Sequence, residues 1–358
     1  MSVAGRTMVT MNHVCTVVPP YLLQHLARAQ EGSGPRFTSS LAGVAGRTLE
    51  HDTAVRAGRS PSRTAGHGTP GLTRTISDAR GSQTLPGAQV RVEGAAAAGD
   101  AAADEAYAGL GDTYALYQEV YGRSSLDGAG LPLDATVHYG QAYDNAFWDG
   151  QRMVFGDGDG EVFTRFTVSP SVIGHELTHG VTQFTAGLAY QGQSGALNES
   201  LSDVFGVLVE QHAAGQSAAQ ASWLVGQGLF LPAVQGRALR DMAAPGTAYD
   251  DDVLGKDPQP ATMAGYVQTA DDNGGVHLNS GIPNHAFQLA AVALGGHAWE
   301  RAGQVWFDVL TGGTLAVDVD FAGFASATVA AAGSRYGAGS DVQGAVRTAW
   351  TQVGVAVR

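Results

Sequence analysis

At 358 residues, 44% hydrophobic and 15% charged, the chain can bury one large core or two ordinary ones and has the composition of a soluble globular protein. A formal net charge of −13, with no Lys/Arg cluster to interrupt it, excludes general attraction to nucleic acid, and no run of about 18 apolar residues marks a membrane span. Cys15 is the only cysteine, which excludes an intrachain disulfide and suits a reducing compartment.

Met1 to Asn12 carries Arg6 but no apolar stretch followed by a small-residue cleavage site, so cytoplasmic synthesis without a signal peptide is expected, any export following a signal-independent route. Val14 to Leu26 is a compact apolar piece in which Pro19 and Pro20 break an extended stretch before a short helix. From Gly32 to about Gly71, Gly, Ser, Thr, Arg and Pro dominate, which predicts an exposed linker between a small upstream module and the rest.

After Leu72, strand-like segments near Ala88–Val92 and Ala135–Tyr139 flank a helix that carries Tyr107, Leu110, Tyr114, Tyr117 and Tyr121 at helical spacing. That aromatic stripe reads as core. From about Ser194 to the end the segments are mainly helical, including Pro283–Leu294 and Ala298–Leu310, with Gly pairs between them. Strands first and helices afterwards predict an α+β half followed by an α half, with no repeat of about 20–50 residues.

The strongest chemical signal is His175-Glu-Leu-Thr-His179. On a helix, residues i and i+4 lie one above the other, so both imidazoles can meet one ion while Glu176 points toward a bound water. Ala196-Leu-Asn-Glu-Ser-Leu-Ser-Asp203 follows and places Glu199 and Asp203 on one helical face. Glu199 can complete a set of two histidines and one carboxylate that leaves tetrahedral Zn2+ an open position for water. Asp203 is placed to accept the second ring N–H of His175. The plain alternative is a polar helix face followed by an acidic first turn.

Asn145-Ala-Phe-Trp-Asp-Gly, Gly156-Asp-Gly-Asp-Gly160, the zinc helix, Ser194-Gly-Ala-Leu-Asn-Glu199 and Asn273-Gly-Gly-Val-His-Leu-Asn-Ser280 occur in an order that resembles the thermolysin family of zinc metallopeptidases, from about Leu72 to the C-terminus. The resemblance implies a two-domain α+β fold: a mixed N-terminal catalytic domain (71–190), a mainly helical C-terminal domain (191–358) and the cleft between them. It implies that His277 and Tyr190 hydrogen-bond the developing oxyanion and that Asp272 orients His277. Asn145 and Ala146 would bind substrate backbone along a strand edge, and Arg240 the carbonyl just after the cut. A surface ion pair with Asp241 or another acid is the other reading of Arg240. Phe163, Phe166, Val172 and Leu239 would line the pocket for the residue after the cut, although ordinary core residues look the same in sequence. His138, His212, His285 and His297 match no ligand spacing.

Where large secreted members carry calcium-binding carboxylates, this chain has Ser171, Ser222, Leu224 and Gln227, and Glu210 alone remains. A hard cation wants about six to eight oxygens, so the double Ca2+ site is expected to be degraded, with Asp250-Asp251-Asp252 able to hold one ion or to form a solvated loop. Residues 1–70 resemble the short propeptide and linker of the protealysin-like branch through Cys15, Pro19, Pro20 and Tyr21. A Cys15 thiolate could cap zinc, since soft sulfur binds it well. Burial as a small apolar residue is the reading favoured here, so Cys15→Ser is expected to leave the precursor latent.

The reading is a zinc-dependent neutral endopeptidase precursor that cuts before bulky apolar residues, with peptide and protein substrates and its own propeptide as partners, and maturation by a cut between Arg59 and Thr73. The alternatives are a catalytically silent thermolysin-like binding protein and a zinc enzyme acting on something other than peptides.

Overall fold

The computed structural model describes residues 15–28, 41–57 and 71–358. Two helices lead: α1 (Pro20–Ala27) starts at Pro20, whose fixed φ suits a first helical position, and packs against α2 (Leu41–Ala57). Helix α2 lies inside the stretch expected to be linker, which corrects that expectation. Its buried side is made of Leu41, Val44, Ala45, Thr48 and Asp52, too few large apolar residues to stand out against a Gly- and Ala-rich background. The rest of the expected linker, and most of the expected processing window, lies outside the described residues.

A five-stranded sheet follows in the order β2-β1-β3-β5-β4, from β1 (Arg74–Asp78), β2 (Ala88–Val92), β3 (Leu133–Val137), β4 (Ala146–Trp148) and β5 (Met153–Phe155). β1, β3 and β5 are parallel, while β2 and β4 close the two edges antiparallel. Across the sheet runs α3 (Ala101–Ala115), capped by the Asp100 carboxylate, which accepts from Ala103 N. Tyr107, Leu110 and Tyr117 of the predicted stripe are buried in the core, with Tyr114 and Tyr121 at its margin. Tyr117 and Tyr121 lie in and just after a widened turn at Leu116–Val120.

α4 (Pro170–Gln183) and α5 (Gly192–Ala214) form the most extensive helix pair. Their approach depends on glycine, because a Cβ on Gly206 would stand 2.4 Å from the Ser171 carbonyl oxygen. Residues 216–271, expected to be mainly helical, instead carry loops and two short strand pairs, β6 (Leu224–Val225) with β7 (Arg240–Asp241) and β8 (Asp250–Asp251) with β9 (Gly255–Lys256). Gly, Pro and Asp are frequent there, and turn chemistry outweighs the scattered apolar residues. Five helices complete the chain: α6 (Asp272–Asn279), α7 (Gly281–Leu294), α8 (Ala302–Thr311), α9 (Phe321–Tyr336) and α10 (Asp341–Gln352). Among the described residues no helix is long and apolar enough to cross a membrane.

Candidate metal centre and substrate cleft

Pro170 opens α4, and the helical spacing stacks His175 and His179 with ring centroids 4.8 Å apart. Their Nε2 atoms face each other at 3.1 Å, and Glu199 from α5 reaches them at 3.6 Å each, through Oε2 to His175 and Oε1 to His179. Each far ring nitrogen is held. His175 Nδ1 lies 2.8 Å from Asp203 Oδ1, and His179 Nδ1 lies 2.9 Å from Asn198 Oδ1. Those partners keep the protons on Nδ1 and leave both Nε2 lone pairs aimed at one point.

The three residues fit a zinc ion. Bonds of about 2.0–2.2 Å at a tetrahedral ion put ligand atoms about 3.3–3.6 Å apart, close to the spacing found. The donor set, two imidazoles and a carboxylate, is right for that metal. Burial pushes His179 down to about 4, against the pull of Glu199, so the ring is neutral near pH 7. Burial alone would raise the Glu199 carboxyl, but His277, His179 and His175 draw it down to about 2. Neutral rings and an ionised carboxylate are the states a metal requires.

Glu176, on the same helix, is fully buried and accepts from Trp148 N at 3.0 Å through Oε2, while its Oε1 has no partner. Burial, then the neighbouring Glu199, push its carboxyl well above the usual carboxylate range. Tyr190 OH lies 3.3 Å from His277 Nε2 and donates a very short bond to Glu199 Oε1. Asp272 brackets His277, with Oδ1 at 2.7 Å from Nδ1 and Oδ2 accepting the backbone N–H at 2.9 Å. This bracket needs a left-handed run, φ of 51, 50, 84 and 75° over Asp272, Asn273, Gly274 and Gly275, which the two glycines make accessible.

Edge strand β4 is occupied by the chain's own N-terminal segment. Thr16 bridges Phe147 antiparallel, Val17 N donates to Ala146 O at 3.1 Å, and Val18 N donates to Asn145 Oδ1 at 2.9 Å. Arg240 Nη1 donates to Val17 O at 3.0 Å, while its other nitrogens grip both oxygens of Asp203 at 2.8 Å. The surface pair with Asp241 is not formed. Arg240 is buried, and Asp241 pairs with Arg237 instead. Phe163, Phe166, Val172 and Leu239 are all buried in the apolar cluster that also contains Val17 and Val18.

Cys15 is buried, as a small apolar filler would be, yet its sulfur faces polar groups: Glu199 Oε1 and Tyr190 OH at 2.8 Å each and His277 Nε2 at 3.6 Å. Cys15 Sγ and the ligand atoms of His175, His179 and Glu199 lie within 4.8 Å of one another. The favoured filler reading therefore gives way, because register along β4 fixes Thr16 and Val17 and turns the preceding side chain into the cluster. Pro19 and Pro20 carry the chain out of the cleft into α1, and Tyr21 packs at the edge of the core.

Four contributors escaped the sequence reading. Asn198 and Ser202, one turn apart on α5, both contact His179 Nδ1, and this i, i+4 spacing was a usable signal. Asn284 donates to Asp203 Oδ2 at 2.8 Å, and Asp52 accepts from Asn145 Nδ2 at 2.8 Å; these long-range pairs leave no sequence mark. The other histidines stay apart from the cluster: His138 pairs with Asp157 and Asp100, His212 and His297 meet Trp299, and His285 bonds Ala261 O.

Residues 66–183 match the family described as thermolysin metallopeptidase, catalytic domain, and 186–355 its alpha-helical domain. An extracellular metalloprotease of Pectobacterium carotovorum subsp. carotovorum is 50% identical over 347 residues, 96% of this chain and 97% of that protein. A thermolysin from Alicyclobacillus acidocaldarius is 41% identical over 263 residues, 72% of this chain and 46% of that protein. The solved precursor of protealysin, a metalloproteinase from Serratia proteamaculans, superposes with a TM-score of 0.87 at 52% identity, covering 96% of this chain and all of that one. The chain belongs to the thermolysin family of metallopeptidases, which are zinc-dependent, and is an enzyme of that class with His175, His179 and Glu199 gathered at its centre.

Proposed function

We propose that the chain is the latent precursor of a neutral endopeptidase in which His175, His179 and Glu199 hold zinc and Glu176 is the general base. The observation that carries this is the pair of Nε2 atoms 3.1 Å apart with Glu199 on both. When bound, zinc supplies a Lewis acid that polarises a peptide carbonyl and lowers the pKa of a water toward about 7. Glu176 would take a proton from the attacking water and return it to the leaving nitrogen, its unpartnered Oε1 being the atom free to do so. Tyr190 OH and the His277 ring, steadied by Asp272, donate to the carbonyl oxygen as it gains charge, each such donor contributing about 3 kcal/mol in comparable sites. Asn145, Ala146 and Arg240 read the peptide main chain.

Val17, the residue whose carbonyl Arg240 holds, is apolar and buried, which supports a preference for apolar residues after the cut, with Phe163, Phe166, Val172 and Leu239 as the pocket. In the precursor Cys15 would join His175, His179 and Glu199 in holding that ion. We read the double calcium site as degraded, because Glu210 leans on the Ser171 hydroxyl and backbone, and the separate acidic run as a loop, because Asp251 turns inward to accept from Gln235 N and Val253 N. Export from the cell fits the relative named as extracellular, and cell fractionation tests it.

The deciding experiment compares wild type with Glu176→Ala by zinc content, intact mass and casein cleavage. Both are expected to bind one zinc, while only the wild type loses its N-terminal segment and digests casein. Zinc binding without any cleavage by the wild type, even after an added protease cuts the linker, would establish a binding protein instead.

A further inference from the structure

The N-terminal segment is threaded through the cleft in a particular register. Every backbone polar group of Val17 and Val18 is engaged: Val17 N on Ala146 O, Val17 O on Arg240, Val18 N on Asn145 Oδ1 and Val18 O on Asn145 Nδ2 at 3.3 Å. Thr16 is the residue between this anchored pair and the metal ligands. Its carbonyl oxygen lies 3.8 Å from Cys15 Sγ, the atom that sits among the ligand atoms of His175, His179 and Glu199. Thr16 also bridges Phe147, next to Trp148, whose N–H holds Glu176. The Thr16–Val17 peptide bond thus joins the residue next to Cys15, whose sulfur lies among the ligand atoms, to the residue whose carbonyl is clamped by Arg240.

We propose that Thr16–Val17 is a cleavable bond of the protein itself, held in the cleft as substrate and protected from hydrolysis by the Cys15 thiol. The inference rests on the peptidase reading given above. In the precursor the sulfur occupies the space a water needs, 2.8 Å from Tyr190 OH, whose one proton is given to Glu199 Oε1. Once Cys15 is displaced, water adds to the Thr16 carbonyl carbon, the bond to the Val17 nitrogen breaks, and Glu176 carries one water proton to that nitrogen. The products are a Thr16 carboxylate and a free Val17 amine. The consequence is disposal of the inhibitor. A cut in the linker alone leaves a bound segment with all its cleft contacts, whereas a cut at Thr16–Val17 severs the Cys15 anchor from the strand that follows. The same register assigns a substrate class, extended chains with adjacent β-branched aliphatic residues after the cut.

The test uses the full precursor as Cys15→Ser and Cys15→Ala, incubated with zinc and followed by intact mass, beside mature wild type given a peptide of the sequence from Asn12 to Gln24 with serine at position 15. A single new fragment boundary between Thr16 and Val17, in either variant and in the peptide but not in the wild-type precursor, is expected. A readout free of turnover is the 13C shift of a labelled Thr16 carbonyl in the inert Cys15→Ser, Glu176→Ala precursor, which is expected to move on zinc addition and to stay still on magnesium addition. If mature enzyme digests casein but leaves the peptide and both variants whole at this bond, or the carbonyl does not respond to zinc, the inference is overturned and the peptidase reading stands. If casein is not digested either, the peptidase reading itself has failed.

Discussion

Asp203 and Arg240 form a wholly buried two-pronged ion pair, Nε to Oδ2 and Nη2 to Oδ1 at 2.8 Å each. The same Oδ1 meets His175 Nδ1, so one carboxylate orients a proposed metal ligand and the arginine that holds the Val17 carbonyl. Asp203→Asn should therefore damage two functions at once. Leaving Arg240 buried without its counter-charge should cost about 3–5 kcal/mol of stability. Losing the acceptor on His175 should weaken zinc binding by about 10–100-fold. Urea unfolding and zinc competition on the Glu176→Ala precursor measure the two separately, and an unchanged zinc affinity would remove Asp203 from the metal centre.

The buried His179 ring sets a pH dependence. Its folded value, about 4, lies below the ordinary 6.5, so between these values the unfolded chain binds a proton that the folded chain refuses. The stability from the neutral ring is complete above about pH 6.5 and is lost as pH falls toward 4, by up to about 3 kcal/mol for a shift of this size. Metal-free Glu176→Ala precursor should show a urea midpoint that falls between pH 7 and pH 5, and His179→Gln should flatten that fall. Parallel slopes in the two proteins would mean that another group is responsible.

The metal ligands were legible because they obey helical arithmetic: His175 and His179 are one turn apart, as are Glu199 and Asp203, and both pairs fall on helices the sequence announces. The occupied cleft was not legible, because the contacts of Thr16, Val17 and Val18 are made by main chain and look alike for any side chains. For the same reason the position of the Cys15 sulfur follows from the register of its neighbours, which no count of cysteines can supply. Helix α2 was hidden by its composition, since a buried side built partly of Ala45, Thr48 and Asp52 has no apolar period. The loops of 216–271 are ordered by carboxylates that accept backbone N–H groups, such as Asp257 from Gly246, Ala248 and Gln259, and acidic residues in a loop read equally well as solvated.

Calcium should matter little to this chain. Glu210 is half-buried, is pushed above the usual carboxylate range by that burial, and is bonded by Ser171. Asp251 already spends its oxygens on Gln235, Val253 and Leu254 N–H groups. Adding millimolar calcium to calcium-free Glu176→Ala precursor should move its Tm by less than about 2 °C, the shift expected when less than about 1 kcal/mol of binding is coupled to folding. A rise of many degrees would reveal a cation site elsewhere.

Asp52 is the latch between the N-terminal segment and the substrate-reading edge. From α2 it accepts from Asn145 Nδ2 at 2.8 Å and from Tyr143 OH at 2.5 Å, and it is fully buried. The bond to Nδ2 fixes which way the amide faces, so that Oδ1 stays available to Val18 N. Asp52→Ala would leave the Asn145 amide and the Tyr143 hydroxyl short of a buried acceptor, at about 1–3 kcal/mol each. The loss falls on docking of the N-terminal segment, because Asp52 belongs to that segment and would leave with it on the proposed maturation. Asp52→Ala should therefore speed exchange of the α1 and α2 amides in the Glu176→Ala precursor, while mature enzyme from the same gene keeps wild-type casein cleavage. Unchanged exchange in α1 and α2 would show that the Cys15 and β4 contacts hold the segment without this latch.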